Sequence, residues 1–177
     1  MTHVRVLTSL TFVYDTREDR ILAAINAGRP EAWSCWLTRR LALALLERAS
    51  EYVASSSALA QRATVDMRGE LVAFEREAAI AKTAGAMSST PAEVLKLSTT
   101  GAELAERLTI SNQGDRFRLE LHGQNGGGAA GAPTRAELQR ILQMLQVEVG
   151  KAGWLAMSGK SQPAPATDAP APKPIRH

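Results

Sequence analysis

Cys35 is the only cysteine, and His122 is the one histidine far from the chain ends, the others being His3 and His177. A thiol attacks only as a thiolate and needs a base beside it. Cys35 stands between Ser34 and Trp36 in an apolar stretch, the setting of a small buried side chain. The three histidines are scattered and share no ligand spacing with each other or with Cys35, so no metal and no cofactor is expected. Ser158-Gly159-Lys160-Ser161 ends like a phosphate loop. That loop needs a glycine followed by four residues before Gly-Lys, whereas five residues follow Gly153 here and the first is Trp154. Gly126-Gly127-Gly128 lacks the Gly-x-Gly-x-x-Gly spacing and reads as a flexible hairpin loop. Glu70, Glu75 and Glu77 interleave with Arg76 as on a solvated helix face. No pair of carboxylates stands in the apolar setting that acid–base work requires. The sequence reads against an enzyme.

What remains is a set of arginines and one tryptophan. Asp19-Arg20 and Asp115-Arg116 occupy hairpin turns, and Thr38-Arg39 and Thr134-Arg135 occupy helix starts. A cation in the first helical turn opposes the helix dipole and wants a partner. That partner is either the turn aspartate, locking hairpin to helix, or an acidic ligand, to which Arg40 would add. Side chains alternate along a strand, so if Trp33 is core, Trp36 faces outward as an interface anchor or stacking platform. If residues 32–37 are helical instead, both tryptophans belong to the core. The candidate partner-binding residues are Arg20, Trp36, Arg39, Arg40, Arg116 and Arg135.

These residues need elements to hold them. Leu10, Phe12 and Tyr14 alternate within a strand from Val6 to Tyr14. After the polar turn 15–19, Ile21, Ala23 and Ile25 alternate again. Asn26 to Pro30 make a second turn, and Ala32 to Leu37 a candidate third strand. Thr38 caps a helix with Ala42, Leu45, Leu46, Ala49 and Val53 on one stripe. Residues 58–84 read as one long helix with a buried seam: Ala60, Ala63, Met67, Leu71, Phe74, Ala78 and Ala81. Thr90-Pro91-Ala92-Glu93 is a capping box, while Val94 to Thr99 suits an edge strand equally well. A second hairpin follows, with Leu108 and Ile110 before the turn and Phe117, Leu119 and Leu121 after it. Thr134-Arg135-Ala136-Glu137 opens a helix carrying Leu138, Ile141, Leu142, Leu145 and Val149.

The two hairpin–helix stretches match at a constant offset of 96 residues. Asp19-Arg20 falls on Asp115-Arg116, Thr38-Arg39 on Thr134-Arg135, Leu46 on Leu142 and Val53 on Val149. The expected fold is therefore α+β: two antiparallel ββ(β)α units related by an internal repeat and joined by a long amphipathic helix. The glycine-rich stretch of the second unit is expected to loosen or delete its third strand. The units span 1–53 and 97–157, with a helical connector at 54–96 and a mobile Pro/Ala-rich tail at 158–177. Strands followed by a helix, used twice, are similar in outline to the repeats of the Whirly and PUR families. That resemblance implies binding of single-stranded nucleic acid through the sheets.

Charge weighs against that implication. The chain has 21 Lys and Arg against 18 Asp and Glu, a net charge of +3. The tail contributes Lys160, Lys173 and Arg176 against Asp168, which leaves 18 basic and 17 acidic residues elsewhere. Counterion-release binding needs clustered cations. A lone cysteine, no leader-like N-terminus and no long apolar run point to a cytoplasmic protein without a membrane segment. The leading expectation is a non-catalytic interaction module with a protein partner, acting through sheet edges and helix faces and open to homodimerisation. A single-stranded nucleic-acid binder is the alternative.

Overall fold

The structure is a computed structural model that describes residues 3–83 and 99–157. The capping box at Thr90, Val94 to Ser98, Gly85 and the 158–177 tail lie outside the described residues. The chain is mixed α+β. Four strands come first: β1 (His3–Val6), β2 (Leu10–Asp15), β3 (Arg20–Ile25) and β4 (Trp33–Leu37). Helices α1 (Arg39–Ser55), α2 (Ala58–Arg62) and α3 (Val65–Thr83) follow. Then come β5 (Glu103–Gln113), β6 (Arg116–Gly123), β7 (Gly127–Gly131), α4 (Arg135–Lys151) and the short α5 (Trp154–Met157). All seven strands form one sheet in the order β1-β7-β6-β5-β4-β3-β2. The β1–β7 and β4–β5 pairs are parallel and the rest antiparallel.

This order places β1 and β2 on opposite edges, yet only residues 7–9 separate them. Six strand spacings of a flat sheet measure roughly 29 Å, while four Cα steps reach at most about 15 Å. The sheet therefore curls until its two edges meet at that corner. The single strand expected over Val6–Tyr14 is in fact two, bent at residues 7–9 so that one half pairs with β7 and the other with β3. Asn26 sets the bend. Its Oδ1 accepts from Thr8 N (3.0 Å), Ser9 N (3.1 Å) and Thr8 Oγ1 (2.7 Å), and its Nδ2 donates to Val6 O (2.7 Å).

Helix α1 starts on the Thr38 cap, whose hydroxyl accepts from Leu41 N. It buries Ala42, Leu45, Ala49 and Val53. Helix α4 starts on a full Thr134–Glu137 capping box and buries Leu138, Ile141, Leu142, Leu145 and Val149 among others. The two helices pack on each other and on one face of the sheet, α1 chiefly across β5 and α4 chiefly across β2. The core joins their stripes to Phe12, Ile21, Ala23, Ile25, Cys35, Leu37, Phe117, Leu119 and Leu121.

Further expectations are corrected. The glycine-rich stretch is not a loop: Gly127–Gly131 is a strand paired on both sides, to β6 and β1. Small residues suit this place, because a Cβ at Gly127 would collide with the Glu103 carboxylate and the Trp33 indole. A Cβ at Gly123 would also meet Glu103. The long helix is broken at residues 63–64 into α2 and α3. There the carbonyl of Thr64 takes the amide of Met67 and opens a new turn. Its seam is not a buried one, since Met67 is 54% and Phe74 66% exposed while Leu71 and Ala78 are half-buried. Nor does β3 show an exposed face: Leu22 and Ala24, which alternate with the core positions, are buried too.

Candidate functional site

Arg39 and Arg135 each open a long helix. Their partners are not the turn aspartates. Arg39 Nη2 donates to Trp154 O (3.4 Å), just beyond the end of α4. Arg135 Nη2 donates to Val53 O and Nη1 to Ser56 Oγ (2.7 Å), at the end of α1. The two helices thus run antiparallel: Arg135 sits on the C-terminal end of α1, and Arg39 reaches the first residue of α5, three residues past the end of α4. A cation that is misplaced on its own helix is well placed on its neighbour, where carbonyls lack amide partners and the dipole is negative.

Arg135 also binds Glu75 Oε2 of α3 (2.9 Å), and Glu75 Oε1 accepts from Ser57 Oγ (3.0 Å). Glu75 is therefore a tie between three helices and not one of a solvated run. The sequence hides this, because the charges 70–77 look alike until the α4 terminus is brought against one of them. Asp19 lies in the expected hairpin turn but bonds to two aromatic side chains and not to a helix-start arginine. Its Oδ1 accepts from Tyr14 Oη (2.8 Å) and from Trp154 Nε1 (3.3 Å), and it sits at positive φ (47°) in the hairpin turn. Its hydrogen bond raises the Tyr14 phenol above the ordinary tyrosine range. Trp154 is buried edge-on against Tyr14, so the segment after α4 is pinned to the first hairpin.

The remaining arginines are dispersed. Arg116 Nη1 donates to Ala132 O (2.9 Å), and Arg118 pairs with Glu120. That bond, first among its causes, lowers the Glu120 carboxyl below the usual range. Arg40 is exposed. Arg20 and Trp36 are half-buried and share the sheet face turned away from the helices, since Ile21, Cys35 and Leu37 point to the core. Trp36 lies opposite Leu22 on one side and Leu104 on the other. Trp33 takes the inner face and donates to Glu103 Oε1 (2.6 Å), whose other oxygen accepts from Asn125 N (2.6 Å). Glu103 thereby ties β4 to the β6–β7 turn.

Cys35 and His122 do not form a dyad. Cys35 belongs to the core, whereas His122 alternates with the core residue Leu121 and so points to the opposite face. Burial, and next the Glu103 carboxylate, push the Cys35 thiol up to about 12. The thiol is expected to stay unmodified by Ellman's reagent at pH 8 in the folded protein and to react within the mixing time in denaturant. Fast labelling without denaturant would show that the site opens.

Among the described residues, no group of three or more potential metal ligands comes together, and no helix is long and apolar enough to cross a membrane. A cleft of about 400 Å³ opens between α1 and β5, lined by Arg48, Glu51, Tyr52, Ser55 and Ile110. The most exposed apolar groups are on α3 and β1: Val65 (77%), Phe74 (66%), Val6 (65%) and Met67 (54%). The chain matches no protein-family model, and comparison with curated proteins and with solved structures gives no significant match.

Proposed function

We propose that the chain is a non-catalytic protein-interaction module, cytoplasmic, built on a duplicated strand–strand–strand–helix unit. The element spans support the duplication: α1 covers 39–55 and α4 covers 135–151, again 96 residues apart. Strands β2, β3 and β4 precede the first helix as β5, β6 and β7 precede the second. In this reading each unit lends its helix to the other unit's strands, which is why neither hairpin needs a complete core of its own.

The observation that carries the function is the outer row of α3. Met67 and Phe74 lie seven residues apart on one face, exposed, and Asp66, Glu70 and Glu77 are exposed beside them. One flank of this row is α4 and the other is acidic. A partner segment with apolar side chains and basic flanks fits it, and a second copy of α3 would set acid against acid.

The test is capture from native lysate with and without nuclease, using the whole chain, a Met67→Ser/Phe74→Ser variant and a Glu70→Lys/Glu77→Lys variant. A nuclease-resistant partner that both variants lose supports the reading. An identical set of partners on all three proteins overturns it. The alternative, a single-stranded nucleic-acid binder, draws on Arg20 and Trp36 sharing one sheet face. Against it stand Arg39, Arg116, Arg118 and Arg135, each hydrogen-bonded within the chain. Recovery of nucleic acid alone, lost in moderate salt, would favour it.

A further inference from the structure

Strand β5 outruns the sheet. Its pairing with β4 covers only Cys35–Glu103 and Trp36–Leu104, whereas its pairing with β6 continues to Gln113–Arg116. Among the described residues, no strand flanks 106–113 on the β4 side. Such an edge presents a row of amides and carbonyls to whatever strand arrives. The β2 edge is guarded by contrast: Tyr14 N donates to Glu148 Oε2 (2.8 Å), and Lys151 Nζ holds Oε1 (2.6 Å). At the offset of 96 residues, Tyr52 replaces Glu148 and Ser55 replaces Lys151. The β5 side thus has a cleft of about 400 Å³ and no carboxylate facing the strand from the Tyr52 position, whereas the β2 side has a smaller cleft of about 190 Å³ with Glu148 bound to the strand.

We propose that this edge is a self-association surface, on which the β5 strands of two copies pair antiparallel about a two-fold axis through Thr109. The side chains select both the occupant and the register. A two-fold axis normal to the sheet matches inner face with inner face, so it must pass through a residue. An axis through Arg107 stacks two guanidiniums. One through Leu108 sets Ile110 against the partner's Glu106. One through Ile110 sets Leu108 against the partner's Asn112. The axis through Thr109 sets Leu108 against the partner's Ile110 and the reverse, giving a continuous apolar row on the inner face. Thr109 meets the partner's Thr109, a favourable cross-strand pair, and Arg107 meets the partner's Ser111. No like charges then oppose each other. The contact is isologous and closes as a dimer. It does not depend on the α3 row.

Engineered cysteines test the register in the full-length chain, because Cys35 is fully buried and does not compete. Directly opposed residues have Cα atoms about 4.5–5.5 Å apart, within disulfide reach. Thr109→Cys is expected to give a covalent dimer on mild oxidation. Ser111→Cys is displaced from its own copy by about four residues, roughly 13 Å, and is expected not to. Sedimentation should show a wild-type dimer and a Thr109→Lys monomer with an unchanged circular dichroism spectrum. A monomeric wild-type chain overturns the proposal. So does a dimer in which the Thr109→Cys variant fails to cross-link or Thr109→Lys still associates, since the contact then lies on another surface.

Discussion

Asn26→Ala is expected to destabilise the chain by about 4 kcal/mol, from lost hydrogen bonds to a buried side chain and a strained backbone. Asn26 is 2% exposed, and its side chain accepts from the amides of Thr8 and Ser9. Its removal takes that partner from those amides and from the Val6 carbonyl, at the bend that joins the sheet edges. The thermodynamics divides between two variants. Asn26 has φ of 50°, a conformation that asparagine tolerates and alanine does not. Asn26→Gly loses the same bonds without that strain, so it should be less harmful than Asn26→Ala by roughly 1 kcal/mol. Urea unfolding of the three proteins measures both terms. A loss under about 1 kcal/mol for alanine would mean that the corner is held by strand pairing and that Asn26 only decorates it.

The second large effect is expected at Arg135. Arg135→Ala should cost about 3 kcal/mol, because it strands the Glu75 carboxylate and the last carbonyls of α1. The pair is largely shielded, with side chains 26% and 20% exposed, so solvent screening leaves more of it than at an open surface. Arg135→Lys should recover only part of the loss. An ammonium can meet Glu75 or the helix end but cannot span Val53, Ser56 and Glu75 as the guanidinium does. Arg39→Ala is the internal comparison and should cost about 1 kcal/mol, since one long bond to Trp154 is lost and no charge is stranded. A double-mutant cycle of Arg135→Ala with Glu75→Ala isolates the pair. Additive losses would show that α3 is held by packing alone, and the three-helix tie would fall.

The two arginines also show how far a sequence can be read. Their oddity was visible in one dimension, since a cation after a helix cap opposes its own dipole. The resolution was not visible, because the groups that take them lie 60 to 115 residues away in the chain.

Much of what depends on neighbours in the chain was legible in the sequence, the break at 63–64 within the expected long helix excepted. The Thr38 and Thr134 caps, the 3–4 stripes of α1 and α4, the turn at Asp19 and the alternation of β2 and β6 are local signals. Each is a short-range bond or a periodicity of the backbone. The mixed α+β class follows from them, and so does the inward turn of Cys35. Only the tertiary structure decided the rest. Gly127–Gly131 becomes a strand because β1 and β6 supply bonds on its two sides, and at Gly127 the Glu103 carboxylate and the Trp33 indole occupy the space a side chain would need. Val6 to Tyr14 splits because Asn26, 17 to 20 residues on, takes the backbone at the bend. The α3 seam stays open because α4 covers one flank only, and hydrophobic periodicity shows that a face is apolar without showing what will cover it.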